Sequence, residues 1–158
     1  TGGFPSTESH EEICRRPWAG FPMTHPTWMG RLEWFRTHQY RPQAMRTEDT
    51  DLLLRTYDIS RFAQLPEVML GYRVDSLSLK KILPGRYYTS LSLLEKAFVG
   101  KKYLYALGVI EQAAKAAVDI FAITTGLNFK LLKHRVGKPL AEAEQAQWQK
   151  IWEQCNYD

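Results

Sequence analysis

The chain has 158 residues, of which 44% are hydrophobic and 24% are charged, and its formal net charge is +4. This composition matches that of folded globular domains and excludes disorder along the whole length. The mild basic excess lacks the clustering that is typical of dedicated nucleic-acid-binding domains. The length predicts one domain with a core of its own and leaves room for an arm at one end.

The first 46 residues differ from the rest in composition, and we predict that residues 1–46 form an extended N-terminal arm. Five of the eight prolines lie here, and each one disfavours helix at the residue before it. A short helix is predicted only between Gly30 and His38. A flexible linker would lack large aromatic side chains, but the arm is rich in them. We therefore predict that the arm contacts a protein surface through Trp18, Phe21, Trp28, Trp34 and Phe35.

Two surfaces can receive these aromatic side chains, and the sequence leaves the choice between them open. The arm either packs on its own domain or lies along a neighbouring subunit. Tryptophan favours such contacts because it buries a large area and has few side-chain rotations to lose. Trp148 and Trp152, which lie one helical turn apart near the end of the chain, complete the predicted partner-binding set.

Residues 47–158 are predicted to form a helical domain, which makes the fold mainly α, with about four to six helices. The first helix is predicted to begin after Thr47 or Thr50, where acidic residues complement the positive end of the helix dipole. A second, short helix is predicted from Ser76 to Leu83 and is ended by Pro84 and Gly85. A strand over residues 68–74 is an alternative for the preceding segment.

Another helix is predicted to begin at Thr89 or Ser90 and to run through Phe98. The longest helix is expected to follow, from about residue 102 to residue 132, as the central helix of the domain. Pro139 fits the first turn of a last helix.

The central helix carries three ionisable residues on one narrow stripe. Glu111, Lys115 and Asp119 follow one another at intervals of four residues, so they lie on one side of the helix. We predict that they form a structural ladder of ion pairs, each with the next. Most of the remaining circumference is apolar.

Residues 103–126 are long enough to span a membrane. However, each central charge costs about 2.5–3.5 kcal/mol on insertion, while each large apolar residue returns only about 0.3–0.6 kcal/mol. We therefore predict a helix that is surrounded by protein. Contact with membrane lipid along 103–126 stays open, either as a membrane helix whose charges face partners or as an interfacial helix.

The sequence contains no concentrated catalytic chemistry. It has no nucleophile elbow, phosphate-binding loop, dinucleotide-binding turn or zinc-binding histidine pattern. Cys14 and Cys155 define neither a redox pair nor a disulfide framework, and the sequence does not decide whether they are bonded. We therefore predict a protein that is not an enzyme and that has no catalytic residues, no metal site and no cofactor.

Together these features favour a non-catalytic accessory subunit of a large mitochondrial membrane complex, such as ATP synthase or a respiratory-chain enzyme. Its partners would be other protein subunits. The start at Thr1 is compatible with removal of a presequence or with a trimmed chain, and the first of these leads us to expect association with the mitochondrial inner membrane.

Two other classes of function remain as alternatives. One is an RNA-contacting protein of the mitochondrial ribosome, which would use the basic groups Arg15–Arg16, Lys80–Lys81 with Arg86, and 130–138. The other is a small helical enzyme or ligand carrier whose site assembles from dispersed residues.

Overall fold

The computed structural model describes residues 2–3, 7–67, 69–70, 77–128 and 138–155. Within these ranges the fold is mainly helical, which confirms the predicted fold class. The α-helices of these ranges are α1 (His10–Ile13), α2 (Leu32–Thr37), α3 (Glu48–Thr56), α4 (Leu79–Phe98), α5 (Ala106–Thr124) and α6 (Glu142–Cys155). Two-residue strands β1 (Gly2–Gly3) and β2 (Lys138–Pro139) pair in antiparallel orientation.

Helices α3, α4 and α5 form the body of the protein. The N-terminal half of α4 contacts the C-terminal half of α5 through Arg86 and Asp119, so the two helices run antiparallel. The chain turns between them through residues 99–105, which include a 3₁₀ turn at Tyr103–Tyr105. A small apolar core consists of Leu54 of α3, Leu93 and Ala97 of α4, and Tyr105 of the 3₁₀ turn, and Ala106 and Val109 of α5 pack against it.

The prediction that Pro84 and Gly85 end a helix is wrong, because α4 runs through both residues. Proline lacks the N–H group that would bind the carbonyl oxygen of Lys80, four residues earlier. The guanidinium of Arg46 takes its place, since Nη1 of Arg46 donates a hydrogen bond of 2.9 Å to that oxygen. One continuous helix therefore replaces the two helices that were predicted between Ser76 and Phe98.

Two further predictions about helix bounds are corrected by the structure. Helices α4 and α5 have 20 and 19 residues, so the domain contains two long helices of similar length. Pro139 lies in β2, and the last helix begins three residues later, at Glu142. The long helix, predicted from about residue 102 to residue 132, instead spans Ala106–Thr124. The strand considered over 68–74 falls mostly outside the described residues.

The arm is folded onto the body over most of its described length. It contains α1, α2 and two 3₁₀ turns, so it is not extended throughout. Ile13 is completely buried, and Trp18 and Phe21 pack against the apolar core. Of the two surfaces that the sequence left open for the arm, its own domain receives these three side chains.

Gly108 is the point at which the arm, α4 and α5 come closest together. A Cβ atom at this position would lie 2.7 Å from the carbonyl oxygen of Trp18 and 3.0 Å from Cδ1 of Leu93. Both distances are shorter than normal van der Waals contact, and one of the neighbours is backbone. Glycine is therefore required at this crossing because any side chain would push the arm away from α5.

We predict opposite effects for alanine at two helical glycines. Gly108→Ala should lower the free energy of unfolding by about 1–3 kcal/mol because of overpacking. At Gly85 a Cβ atom would meet only Cγ2 of Thr47, at 3.8 Å, so Gly85→Ala should stabilise the protein by up to about 1 kcal/mol. Urea unfolding measures both changes. Equal stabilisation by the two substitutions would contradict the close crossing at Gly108.

Candidate protein-interaction site

The side of α5 that faces α4 and the arm is small and polar. Its buried residues are Gly108, Gln112, Asp119 and Ala122. Arg86 of α4 reaches two of them, with Nε 2.7 Å from Oδ2 of Asp119 and Nη1 3.0 Å from Oε1 of Gln112. Asp119 is only 1% exposed. The contact between the two long helices is thus built partly on a buried ion pair.

The opposite side of α5 is apolar and faces outwards. Ile110 is 65% exposed and Phe121 is 62% exposed, and their neighbours on this side are similarly open. We define the α5 face as the exposed residues Leu107, Ile110, Ala114, Val118 and Phe121. An ordinary surface helix buries its apolar stripe and exposes its polar one. Helix α5 departs from this arrangement, because it buries the polar Gln112 and Asp119 beside small residues and exposes most of its large apolar ones. We call this its reversed polarity.

Helix α4 also presents apolar residues to the outside. We define the α4 face as Tyr87, Leu91 and Phe98, which recur at helical spacing and are all exposed. Phe98 is 62% exposed, as much as Phe121. Exposed apolar side chains scattered singly are normal on protein surfaces, but helical stripes of them mark interaction sites. The two long helices therefore form the candidate interaction site.

The predicted ion-pair stripe is divided between two environments. Nζ of Lys115 lies 2.8 Å from Oε1 of Glu111, as their spacing predicts, and Arg16 of the arm approaches the same carboxylate at 3.7 Å. Asp119 instead lies on the buried side of α5 and is bound by Arg86. The interpretation of the three residues as one structural ladder, in which each pairs with the next, is therefore corrected for Asp119. Asp119 stabilises the contact between helices, whereas Glu111 helps to hold the arm.

A second buried ionic cluster joins the arm to α3 and α4. Asp51 is fully buried, and its carboxylate accepts hydrogen bonds from Nε of Arg41 (3.0 Å), Nε of Arg55 (2.9 Å) and Oγ of Ser92 (2.9 Å). Arg41 also donates to both carboxylate oxygens of Glu95. Burial alone would raise the pKa of Asp51, but these hydrogen bonds outweigh it and lower the pKa.

The charged groups of this cluster are paired with each other and hold parts of the fold together. An open cleft of about 200 Å³ lies over it, lined partly by Arg41 and Arg55. Both guanidinium groups already bind carboxylates, so the cleft does not offer a free positive charge to a ligand. The cluster acts as a clamp between the arm and the body.

A third polar cluster surrounds Tyr57 at the end of α3. The hydroxyl groups of Tyr57 and Tyr105 are hydrogen-bonded to each other, and Nζ of Lys102 lies 2.7 Å from Oδ2 of Asp58. Burial is the main reason why the pKa of Tyr105 is raised well above its ordinary value. Its phenol therefore stays protonated and acts as a structural hydrogen-bonding group.

The aromatic residues of the predicted partner-binding set have different surroundings. Trp18 stacks edge-on against Tyr105, and Phe21 lies 5.9 Å from Tyr57 between ring centres. The indole N–H of Trp34 donates to Oγ of Ser60 at 2.8 Å. These three side chains thus take part in the fold itself.

The other members of the set are placed elsewhere. Trp28 stacks edge-on against His25, and Phe35 lies against Trp34. In α6, Trp148 is half-buried, whereas Trp152 is 57% exposed. Trp152 is therefore the most exposed tryptophan of the set.

The cysteine near the start of the chain is not an activated nucleophile. Sγ of Cys14 lies 3.7 Å from Nδ1 of His10, but the same nitrogen accepts a hydrogen bond from the backbone N–H of Phe62. Burial, and secondarily the charge of Glu11, raises the pKa of Cys14. A reactive thiol requires the opposite shift. Cys14 and Cys155 are both free.

In the ranges that the structure describes, no group of three histidine, cysteine, aspartate or glutamate side chains is arranged to hold a metal ion. None of the helices in the described ranges combines the length and the apolar character needed to cross a membrane.

The fold separates Arg86 from the two lysines with which it was grouped as a candidate RNA-binding site. Arg86 points inwards to Asp119 and is mostly buried, so it is not available to phosphate groups together with Lys80 and Lys81. Arg16 of another group lies near Glu111. The group at 130–138 lies mostly outside the described residues.

The outward faces of α4 and α5 were not singled out in the sequence. A local signal was present, because Asp119 stands alone between Val118 and Ile120 in an apolar helix. A carboxylate in such surroundings is buried only with a partner, so it marks the inner side of the helix. The apolar residues opposite to it were then the candidates for an outer face.

Neither a family model, nor a curated protein, nor a solved structure matches this chain. The candidate interaction site therefore rests on the exposure and arrangement of the residues of α4 and α5 alone.

The buried carboxylate of Asp51 predicts a pH-dependent contribution to stability. Since the pKa of Asp51 is lowered in the fold, its stabilisation is complete above the unfolded value of about 3.9 and is lost as the pH falls further. Asp51→Asn should lower the free energy of unfolding by about 3 kcal/mol at pH 7, because two guanidinium groups lose their partner. This deficit should shrink as the pH falls below about 4.

Chemical unfolding between pH 7 and pH 3 measures this effect. Glu33→Gln is the matched control, because its carboxylate is exposed and pairs only loosely with Arg36, at 4.0 Å. The control should stay within about 0.5 kcal/mol of the original protein. The clamp would be disproved if Asp51→Asn were as stable as the control at pH 7.

Proposed function

We propose that this chain is a non-catalytic accessory subunit of a large mitochondrial membrane complex, of the ATP synthase or respiratory-chain kind. It acts by contacts with other subunits. The observation that carries the proposal is the reversed polarity of α5, which buries Asp119 and Gln112 and exposes Ile110 and Phe121.

The energetics of exposed apolar residues support a role in assembly. Burying a large aliphatic or aromatic side chain completely contributes about 1.5–3 kcal/mol. Several members of the α4 and α5 faces are more than half exposed, so a large part of this contribution is still available to a partner. Ordering and immobilisation on binding offset some of it. Contacts at several of these residues together would therefore contribute to holding the subunit in a complex.

The inner contacts of the body make the outward faces rigid. Arg86 binds both Asp119 and Gln112, which fixes the rotation of α5 relative to α4. Side chains that are already held in position lose less freedom when a partner covers them. A scaffold subunit benefits from this property, because it positions its neighbours rather than adapting to them.

Helix α6 supplies a second candidate contact. None of its residues is buried, and its apolar residues Trp148, Ile151, Trp152 and Cys155 share one side at helical spacing. A helix of 14 residues without a buried side is marginal in water, so a partner surface would stabilise it. This supports a protein that contacts its neighbours at more than one place.

The mitochondrial and inner-membrane part of the proposal comes from the sequence-based expectation. Lipid contact along 103–126 belongs to it as well, because apolar residues in this range point outwards. Purification from the source organism under gentle conditions tests the location and the partners together.

We predict that a tagged chain co-purifies with the subunits of one large complex from mitochondrial membranes. Changing the α4 face by Leu91→Glu with Phe98→Glu should reduce incorporation at least tenfold, because two charges would have to be desolvated in the contact. Lys81→Gln, on an exposed polar part of α4, is the control and should assemble normally. A native gel with identification of co-migrating proteins measures incorporation, and circular dichroism verifies folding.

Several outcomes would overturn the proposal. One is normal incorporation of the folded double variant. Another is that the original chain migrates alone. Co-purification with RNA and ribosomal proteins, lost after nuclease treatment, would establish the ribosomal alternative instead.

A further inference from the structure

We propose that the outer side of α5 is a self-association surface, on which α5 of a second copy of this chain packs in antiparallel orientation. This inference goes beyond the proposed function: a second copy covers the outer side of α5, which leaves the α4 face and α6 for the other subunits of the complex.

The first observation is the spacing of the outward residues. Six exposed positions alternate at intervals of three and four along α5, namely Leu107, Ile110, Ala114, Ala117, Phe121 and Thr124. This is the spacing of a seam between two paired helices. These positions carry no charged side chain, so a helix lying on them would bury no charge. Thr124 donates its hydroxyl to the carbonyl of Ile120 and is therefore already satisfied.

The second observation is the order of side-chain sizes along this seam. Large residues lie towards its two ends and small residues lie at its centre. In an antiparallel pair, Ile110 of one copy meets Phe121 of the second copy, and Phe121 meets Ile110. The central layer then consists of Ala114 opposite Ala117. The pattern is self-complementary about a two-fold axis, as a symmetric dimer requires.

The spacing of the helix axes and the helix dipoles also favour antiparallel over parallel pairing. Small residues at the centre allow the helix axes to approach each other, because the distance between axes is set by the side chains at the contact. The dipoles of antiparallel helices oppose each other, which places each N-terminus beside a C-terminus of opposite charge. A parallel pair would instead stack Phe121 on Phe121 and align like ends.

The size of the contact between the two α5 helices determines how tightly two copies are expected to associate. A contact of one helix from each copy, 19 residues long, is at the low end of stable protein interfaces. Small contacts of this kind belong to weak and transient complexes, so we expect association in the micromolar range. Dimerisation should therefore depend on concentration within an experimentally accessible range.

The first experiment measures the mass of the purified full chain by sedimentation equilibrium from about 1 to 200 µM. We expect a reversible transition from monomer to dimer. Ile110→Glu should weaken association at least tenfold, because it places a charge in the seam of each copy. Lys115→Gln, which lies on α5 outside the seam, should leave association unchanged. The Ile110 side chain is mostly exposed, so the variant should fold, and its melting temperature verifies this.

The second experiment tests the orientation. Both native cysteines are first replaced, by Cys14→Ser and Cys155→Ser. Ala114→Cys is then introduced into one chain and Ala117→Cys into a second chain, which differs in length so that the products can be told apart. Mild oxidation of their mixture should give mainly the heterodimer of the two chains, because residues 114 and 117 face each other only in the antiparallel pair. Mainly like-with-like cross-links, or a monomer at 200 µM in the first experiment, would overturn the proposal. Neither result depends on the mitochondrial complex, so the proposed function is tested separately.

Discussion

The ion pair between Arg86 and Asp119 determines which side of α5 faces inwards. Asp119 is almost completely buried, and an unpaired carboxylate in that position would cost several kcal/mol. Helix α5 can therefore pack on α4 only in the rotation that brings Asp119 to Arg86. In that rotation Gln112 also reaches the guanidinium, and Gly108 lies where the backbone of Trp18 needs space. The apolar residues on the other side of the helix are left facing outwards.

The clamp at Asp51 has a corresponding role for the arm. Arg41 binds Asp51 of α3 and Glu95 of α4 at the same time, so the arm is tied to two helices by one side chain. Together with buried Ile13 and packed Trp18, this makes the arm a part of the folded body. The arm therefore helps to hold α3, α4 and α5 in the arrangement that exposes the two apolar faces.

Local patterns in the sequence predicted the helical class, and the pair of Asp51 with Arg55 follows from their spacing within α3. Long-range contacts account for the main errors. Pro84 indicated a helix end because its missing donor is a local feature, whereas the compensating Arg46 is remote in the sequence. Similarly, Asp51 is paired with Arg41 and Ser92, which lie on other elements.

The direction in which α5 faces could not be read from periodicity. A helix with a narrow polar stripe and an apolar remainder gives the same pattern whether the stripe meets water or a buried partner. The sequence showed that most of the circumference of the central helix is apolar. It could not show that the exposed apolar surface lies opposite Asp119, because that depends on Arg86.

The central claim is that the outer side of α5 is covered when the protein is in its native surroundings. Footprinting by hydroxyl radicals tests this directly, by comparing side-chain modification in the intact native assembly with modification in the purified chain diluted below its dimerisation range. We expect Ile110 and Phe121 to be modified readily in the dilute protein and protected in the assembly, while the modification of exposed Met29 changes little. Equal modification of Ile110 and Phe121 in both states would contradict the account.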